Sequence, residues 1–452
     1  MIRHARHRAG ATATAVALAL VLALLLAACG SRLPERDFTG SGGSGGGAVG
    51  ASAGAPITVG IVTSLSSVLG SEAFSGPMYG AEAFFRALND SPAGVGGRRV
   101  QVVTCDDGGS GSGNQACVHK LIDQDHVVAL VATSALDYAG ASFVSARAVP
   151  DIGGQPIGTA YDRYPHLYAV SGSSEPRDGR SVGWDGVQYQ TTEVYRFFAE
   201  RLGLRRAVVV GYNQADSARY AGQLVQGLRA EGYRVVSESV DFALPDFAAV
   251  AAQMRAQGTQ LLMDALDTRG NVALCQAMAS AGVGVVAKVT NVQSWSAGAG
   301  SDYASVPGCL DSLWVTASSR SYSDVQYPAV AAFRAAMRRY FPAREPLLSQ
   351  WELEGWAAAQ WFTDAARSCQ GPDGTGAVDR GCLDRFMQRP QPYDAHGLLI
   401  PTGFTPAPAP TGLQHACLNV ARWEGGTGGG WVTQVADMDT NCFQVPALPY
   451  RP

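Results

Sequence analysis

The chain contains no C-x-x-C pair, and the histidines beyond residue 28 (His119, His126, His166, His396 and His415) stand singly. Zinc and other His/Cys metal sites need clustered ligands at short spacing, so the residues argue against a metal centre, and no cofactor is expected. A basic surplus is also missing. The formal net charge is −4, and loss of the three arginines at the amino terminus would take it to about −7, which speaks against nucleic acid as a partner. No catalytic frame declares itself either. The G-x-S-x-G match at Gly42-Gly43-Ser44-Gly45-Gly46 and the G-x-G-x-x-G match from Gly40 to Gly45 lie in a Gly/Ser-rich run with neither strand before nor helix after, so both are compositional accidents.

What is present begins with Arg3, Arg6 and Arg8, an apolar stretch opening near Ala11, and Leu26-Ala27-Ala28-Cys29. A basic segment, a short apolar segment and small residues form a secretory leader. The apolar part falls slightly short of the roughly 20 residues that span a membrane. Its end resembles the bacterial lipobox, in which the cysteine (here Cys29) is lipidated and becomes the first residue. Residues 1–28 are then the leader and 29–55 a flexible Gly/Ser/Ala tether. About 400 residues remain, enough for two domains. Eight further cysteines in an exported chain imply disulfides. They fall as neighbours along the chain, which gives the pairing Cys105–Cys117, Cys275–Cys309, Cys369–Cys382 and Cys417–Cys442.

Past the tether, short β-branched runs alternate with helical periodicity. Strands are expected at 57–62, 99–104, 127–132 and 149–152, with helices around 81–88, 114–124 and 139–147. Residues 172–186 turn to Gly, Ser, Arg and Pro and read as a crossing or insertion. The alternation then restarts, with strands at 206–210, 234–240, 260–263 and 285–290 between helices at 191–202, 217–231, 247–257 and 271–281. Two β/α series imply two parallel-sheet lobes, with a ligand between them. Beyond Leu313 the pattern turns helical (329–340, 351–367), before antiparallel strands at 417–423 and 430–435.

In open α/β sheets ligands bind outside the carboxyl ends of strands. Polar loops occupy that position at Ser134-Ala135-Leu136, Gly153-Gly154-Gln155, Asn213 and Asp267, and they are the candidate ligand residues. Phe74, Trp295 and Trp351 are candidate apolar walls. Asp106-Asp107 follows a strand and adjoins Cys105, so these carboxylates are read as capping a disulfide-pinned loop, with an acid/base pair as the other reading.

The order and spacing of Ile57–Ser67, Gly80-Ala81-Glu82, Gly97–Asp107, Val149-Pro150-Asp151-Ile152 and Trp356–Ala359 resemble the type I periplasmic solute-binding proteins of ABC importers, in the branched-chain amino acid receptor group. The resemblance implies two Rossmann-like lobes joined by a three-stranded hinge, with lobe 1 at 56–171 and 316–400 and lobe 2 at 172–315 and 401–452. It also implies an extracytoplasmic, membrane-anchored monomer without enzymatic activity that captures a small molecule for ABC permease subunits. Ser66, on the opening loop, joins the candidates. Serine and backbone groups of lobe 1 would hold a ligand carboxylate, and an acid of lobe 2, matched approximately by Asp267, its ammonium. Ala135 and Gly154-Gln155 depart from the family pattern. A sensor feeding a signalling partner and an exported hydrolase are the competing readings.

Overall fold

The structure is a computed structural model, and it describes residues 54–372, 374 and 376–452. The leader, Cys29 and most of the tether lie outside the described residues. Strands β1 (Ile57–Thr63), β2 (Val100–Asp106), β3 (Ala129–Val131), β4 (Asp151–Gly154) and β5 (Leu167–Ala169) form an all-parallel sheet in the order β2-β1-β3-β4-β5. After β6 (Gln188–Thr191), strands β7 (Arg206–Tyr212), β8 (Arg234–Val240), β9 (Leu261–Ala265), β10 (Ala287–Thr290) and β11 (Leu313–Ala317) repeat that topology as β8-β7-β9-β10-β11. The chain closes with β12 (Leu413–Cys417), β13 (Asn419–Glu424), β14 (Gly430–Thr433) and β15 (Cys442–Tyr450). β13 and β14 extend the second sheet antiparallel, and β15 lies between β12 and β6 in a small third sheet.

Alternation along each strand explains why both parallel sheets are covered on two faces. Ile57, Val59 and Ile61 bury into one apolar cluster while Val62 enters another. Val208 and Val210 pack on one side of the second sheet, Ala207 and Val209 on the other. The first cluster runs without interruption from β1 to Trp295, Trp423 and Trp431, so the second sheet's β13–β14 edge shares a core with the first sheet.

The 21-residue helix Gln350–Gln370 starts at a capping box, in which Ser349 and Glu352 satisfy each other's backbone amides. It lies on β4 and on the helix Ser75–Asp90. Gly80 and Gly355 make that contact possible: a Cβ on Gly355 would stand 2.0 Å from the Pro77 carbonyl oxygen. Each neighbouring cysteine pair is bonded, at separations of 12, 34, 13 and 25 residues. Among the described residues no helix is long and apolar enough to cross a membrane.

Four sequence expectations need correction. Residues just past Leu313 form β11 rather than a helix, because Leu313 and Val315 face one core and Trp314 another. The strand expected at 417–423 is two strands that break at Leu418 and join different sheets. Gly153 and Gly154 belong to β4 and not to the following loop; Gly153 (φ 71°) makes a bulge where Ala358 of the long helix presses close. The strands β5, β6 and β15, the part of β12 before Cys417 and the helix Arg380–Met387 were not anticipated.

Candidate functional site

Both parallel sheets reverse their strand order at one point, between β1 and β3 in the first and between β7 and β9 in the second. Loops leaving neighbouring strands there diverge to opposite faces and open a crevice. In the first sheet the crevice is framed by a polar network. Ser64 N donates to the Ser134 carbonyl at 3.1 Å, and Ser64 Oγ donates to Asp107 Oδ1 at 2.6 Å while accepting from Leu136 N at 2.9 Å. Asp107 also receives Asn114 Nδ2 at 2.9 Å and Gly109 N at 2.8 Å. These bonds occupy the carboxylate, which favours the capping role over acid/base work. Below the loop, buried Asp151 accepts hydroxyls from Thr133, Tyr138 and Tyr161, and burial still raises its pKa.

Two hydroxyls in this frame have no partner among the described residues, Ser134 Oγ and Ser67 Oγ, and both residues are buried. A buried hydroxyl left unpaired is costly and marks a place where a ligand or water belongs. Ser66 is exposed, its amide held by Asp106 at 3.2 Å. Ala135 is buried and Leu136 half-buried beside it. Phe74 is buried with its ring 6.3 Å from Trp351, whose indole N–H is also unpartnered. Gly154 packs under Tyr161. The Gln155 side chain turns to Glu354, bonding its Oε2 at 2.9 Å.

At the second reversal the expected residues have other employment. Asp267 caps the helix Thr268–Ser280, accepting Gly270 N at 3.1 Å and the Tyr212 hydroxyl at 2.6 Å. Burial, with the adjoining Asp267 carboxylate, pushes the Tyr212 hydroxyl well above its ordinary range. Asn213 is exposed and binds Asp241 and the Phe242 amide. Trp295 is fully buried, 6.0 Å from Trp431, and its carbonyl accepts Gln350 N. Beneath the loop a fully buried Lys288 bonds Asp264 at 2.6 Å and Asn271, fixing β9, β10 and the helix start together.

Sequence reasoning missed Thr290 and Asn291 at the end of β10, where Thr290 Oγ1 and Asn291 Oδ1 lack partners. Their signal was the same one used elsewhere, polar residues directly after an apolar strand. Two contacts join segments that follow strands of the two sheets: Gln293 Nε2 donates to the Ala73 carbonyl at 2.6 Å, and Arg219 Nη2, from the helix Ala215–Ala230, donates to the Ile157 carbonyl at 3.0 Å. Two cavities, of about 280 and 430 Å³, lie elsewhere, beside Arg320 and Trp431 and beside Phe197 and Trp314. Among the described residues the one group with metal-like spacing is His415, Cys417 and Cys442, and its two sulfurs are bonded to each other.

The sequence pattern of the family described as periplasmic binding protein matches residues 56–429. Among solved structures, an extracellular ligand-binding receptor from Verminephrobacter eiseniae is 18% identical with a TM-score of 0.63, over 83% of this chain and 99% of that one. The branched-chain amino acid transporter substrate-binding protein LivJ from Streptococcus pneumoniae, in complex with isoleucine, is 14% identical with a TM-score of 0.61, over 84% and 99%. A solute-binding protein of an ABC transporter from R. palustris, in complex with benzoate, is 14% identical with a TM-score of 0.60, over 87% and 97%. No curated protein sequence matches the chain.

Proposed function

Because the chain belongs to the periplasmic binding protein family, we propose that it is an extracytoplasmic receptor, lipid-anchored at Cys29, that captures a small molecule and delivers it to an ABC permease. The lobes are 56–171 with 318–400 and 172–317 with 401–452, the boundary expected at 315/316 moving past the end of β11 because Thr316 and Ala317 pair with β13. Its ligand is an amino acid or a related polar or amphipathic compound, a range suggested by the isoleucine and benzoate found with two structural relatives. The supporting observation is the set of unpartnered polar atoms at strand ends of both sheets, Ser67 and Ser134 on one side and Thr290 and Asn291 on the other. A molecule that hydrogen-bonds both sets is held best when the lobes close, so its binding energy drives a hinge motion. No catalytic role is proposed: Asp106, Asp107 and Asp267 are committed to backbone amides and hydroxyls.

A thermal-shift screen of amino acids, amides, small aromatic acids and polyamines tests the reading, because a ligand that binds only the native state raises the unfolding midpoint. At least one class should raise it; no shift from any class contradicts the receptor role. The anchor is tested separately. Mass spectrometry of the mature protein should find a lipidated Cys29 at the amino terminus, and Cys29→Ala should weaken membrane retention. An unmodified terminus elsewhere overturns the anchor and leaves the receptor standing.

A further inference from the structure

His415, Cys417 and Cys442 stand together on one face of the small sheet formed by β12, β15 and β6. His415 and Cys417 are two residues apart on β12, so their side chains leave the same side of the strand. Cys442 is paired directly opposite Cys417 on β15, and Gln444 opposite His415. The imidazole lies with Nε2 3.7 Å from Cys417 Sγ and Nδ1 3.0 Å from the Gln444 side-chain amide. One ring nitrogen and both sulfurs fall within 4.8 Å of one another, and the sulfurs are joined in the Cys417–Cys442 bridge.

The bridge is not what keeps these residues in register. β12 and β15 pair over five residues, from Leu413 opposite Pro446 to Cys417 opposite Cys442. Just beyond the bridge, Leu418 N donates to the Asn441 carbonyl at 3.2 Å and Asn441 Nδ2 to the Leu418 carbonyl at 2.9 Å. Opening the disulfide therefore leaves two thiols facing each other across the ladder, with His415 beside them. Both cysteines are half-buried and His415 is exposed, so an attacking thiol can reach the bond. Cys275–Cys309 is buried at both ends, and Cys105–Cys117 at Cys117. Cys369–Cys382 is as accessible, but it belongs to no cluster of three ligands among the described residues.

We propose that Cys417–Cys442 is a reducible bridge whose opening uncovers a site for a thiophilic divalent cation of the zinc class, held by both sulfurs and His415 Nε2. The reductant is a dithiol. Its two sulfurs join in a disulfide, their electron pair passes to the protein bridge, and each protein sulfur takes up one proton. The cation then displaces those two protons. Two thiolates and an imidazole form a ligand set that zinc accepts, with water in the fourth position. The Gln444 amide is exposed and can turn its oxygen to His415 Nδ1–H, which fixes the tautomer whose Nε2 lone pair faces the sulfurs. No C-x-x-C spacing announces the set, because strand pairing brings the second cysteine from 25 residues away.

Limited reduction of the mature protein with dithiothreitol, followed by differential alkylation and peptide mapping, should open Cys417–Cys442 before the other three bridges. After the reductant is removed without air, titration with cadmium should raise the ultraviolet sulfur-to-metal charge-transfer band to one ion per chain, and zinc should compete the ion away. His415→Ala should weaken cadmium binding about tenfold or more, since loss of a residue that only orients a ligand already costs that much. His415 is exposed, so the unreduced variant should keep the wild-type melting midpoint, which is the check on folding. The double variant Cys417→Ser, Cys442→Ser, treated identically, should show no band. Earlier opening of another bridge overturns the inference, as does a band that survives in the double variant or an unchanged affinity in His415→Ala. Loss of cooperative melting when this bridge alone is reduced also overturns it, because the strands would then not hold the ligands in place.

Discussion

Replacing Glu354 by glutamine should flatten the pH dependence of stability. The carboxyl is 4% exposed near the start of the Gln350–Gln370 helix, where Oε1 accepts from Ser319 Oγ at 2.7 Å and Oε2 from Gln155 Nε2 at 2.9 Å. No cation pairs with it among the described residues, so burial pushes its pKa up to about 7. In an unfolded chain a glutamate titrates near ~4.3. The folded state therefore holds its proton more tightly, and the group's contribution to stability is complete below the unfolded pKa and lost as pH rises through the folded one. Between pH 5 and pH 8 the loss amounts to roughly 2–3 kcal/mol. Glutamine cannot ionise, and the Gln155 amide can turn to offer its oxygen, so both contacts survive. Denaturant unfolding of wild type and Glu354→Gln at pH 5 and pH 8 is the assay. Glu352 and Glu175, also raised to about 7 by burial, are common to both proteins and cancel in the comparison. The variant should gain on wild type by that amount at the higher pH. A stability difference that does not change with pH would show that Glu354 is ionised throughout, and the argument from burial would be wrong.

Gly355→Val should destabilise the fold by about 1–3 kcal/mol or more, measured as a lower denaturation midpoint, because the new Cβ meets backbone that cannot move aside. Removing the Cys369–Cys382 bridge with two serines should cost roughly 3 kcal/mol, since a loop of 13 residues is released in the unfolded chain. Non-reducing peptide mapping of the wild type should recover all four neighbour pairs. Asp267→Asn should keep the helix cap and lower stability by only about 1 kcal/mol through the weakened Tyr212 bond. It should leave carboxylate binding unchanged or stronger in calorimetry, because a negative charge near the ligand is removed.

The architecture was legible in the sequence where burial on both faces leaves its mark. Ile57–Val62 and Arg206–Val210 read as strands because nearly every side chain meets one core or the other. β15 gave no such signal. Pro446 and Pro449 interrupt it, and its partners lie far away in sequence. The rule that ligands meet the ends of parallel strands located the crevice loops, and Ser134 stands there with its hydroxyl unspent. It could not tell which side chains in those loops were already committed. Asp267 and Asn213 had the right chemistry and position, but a cap and a neighbouring turn claim them, and both commitments depend on tertiary geometry. Thr290 and Asn291 were equally visible as letters and became informative only once their unpartnered atoms could be seen.

Hydrogen exchange read by mass spectrometry, with and without a saturating ligand from the thermal screen, tests the central claim most directly. Ordering of both lobes around one molecule should slow exchange together in residues 64–74 and 133–136 of the first lobe and 266–270 and 290–294 of the second. Protection confined to one sheet, or centred on the cavities beside Trp314 or Trp431, would contradict a ligand held between strand ends of the two sheets.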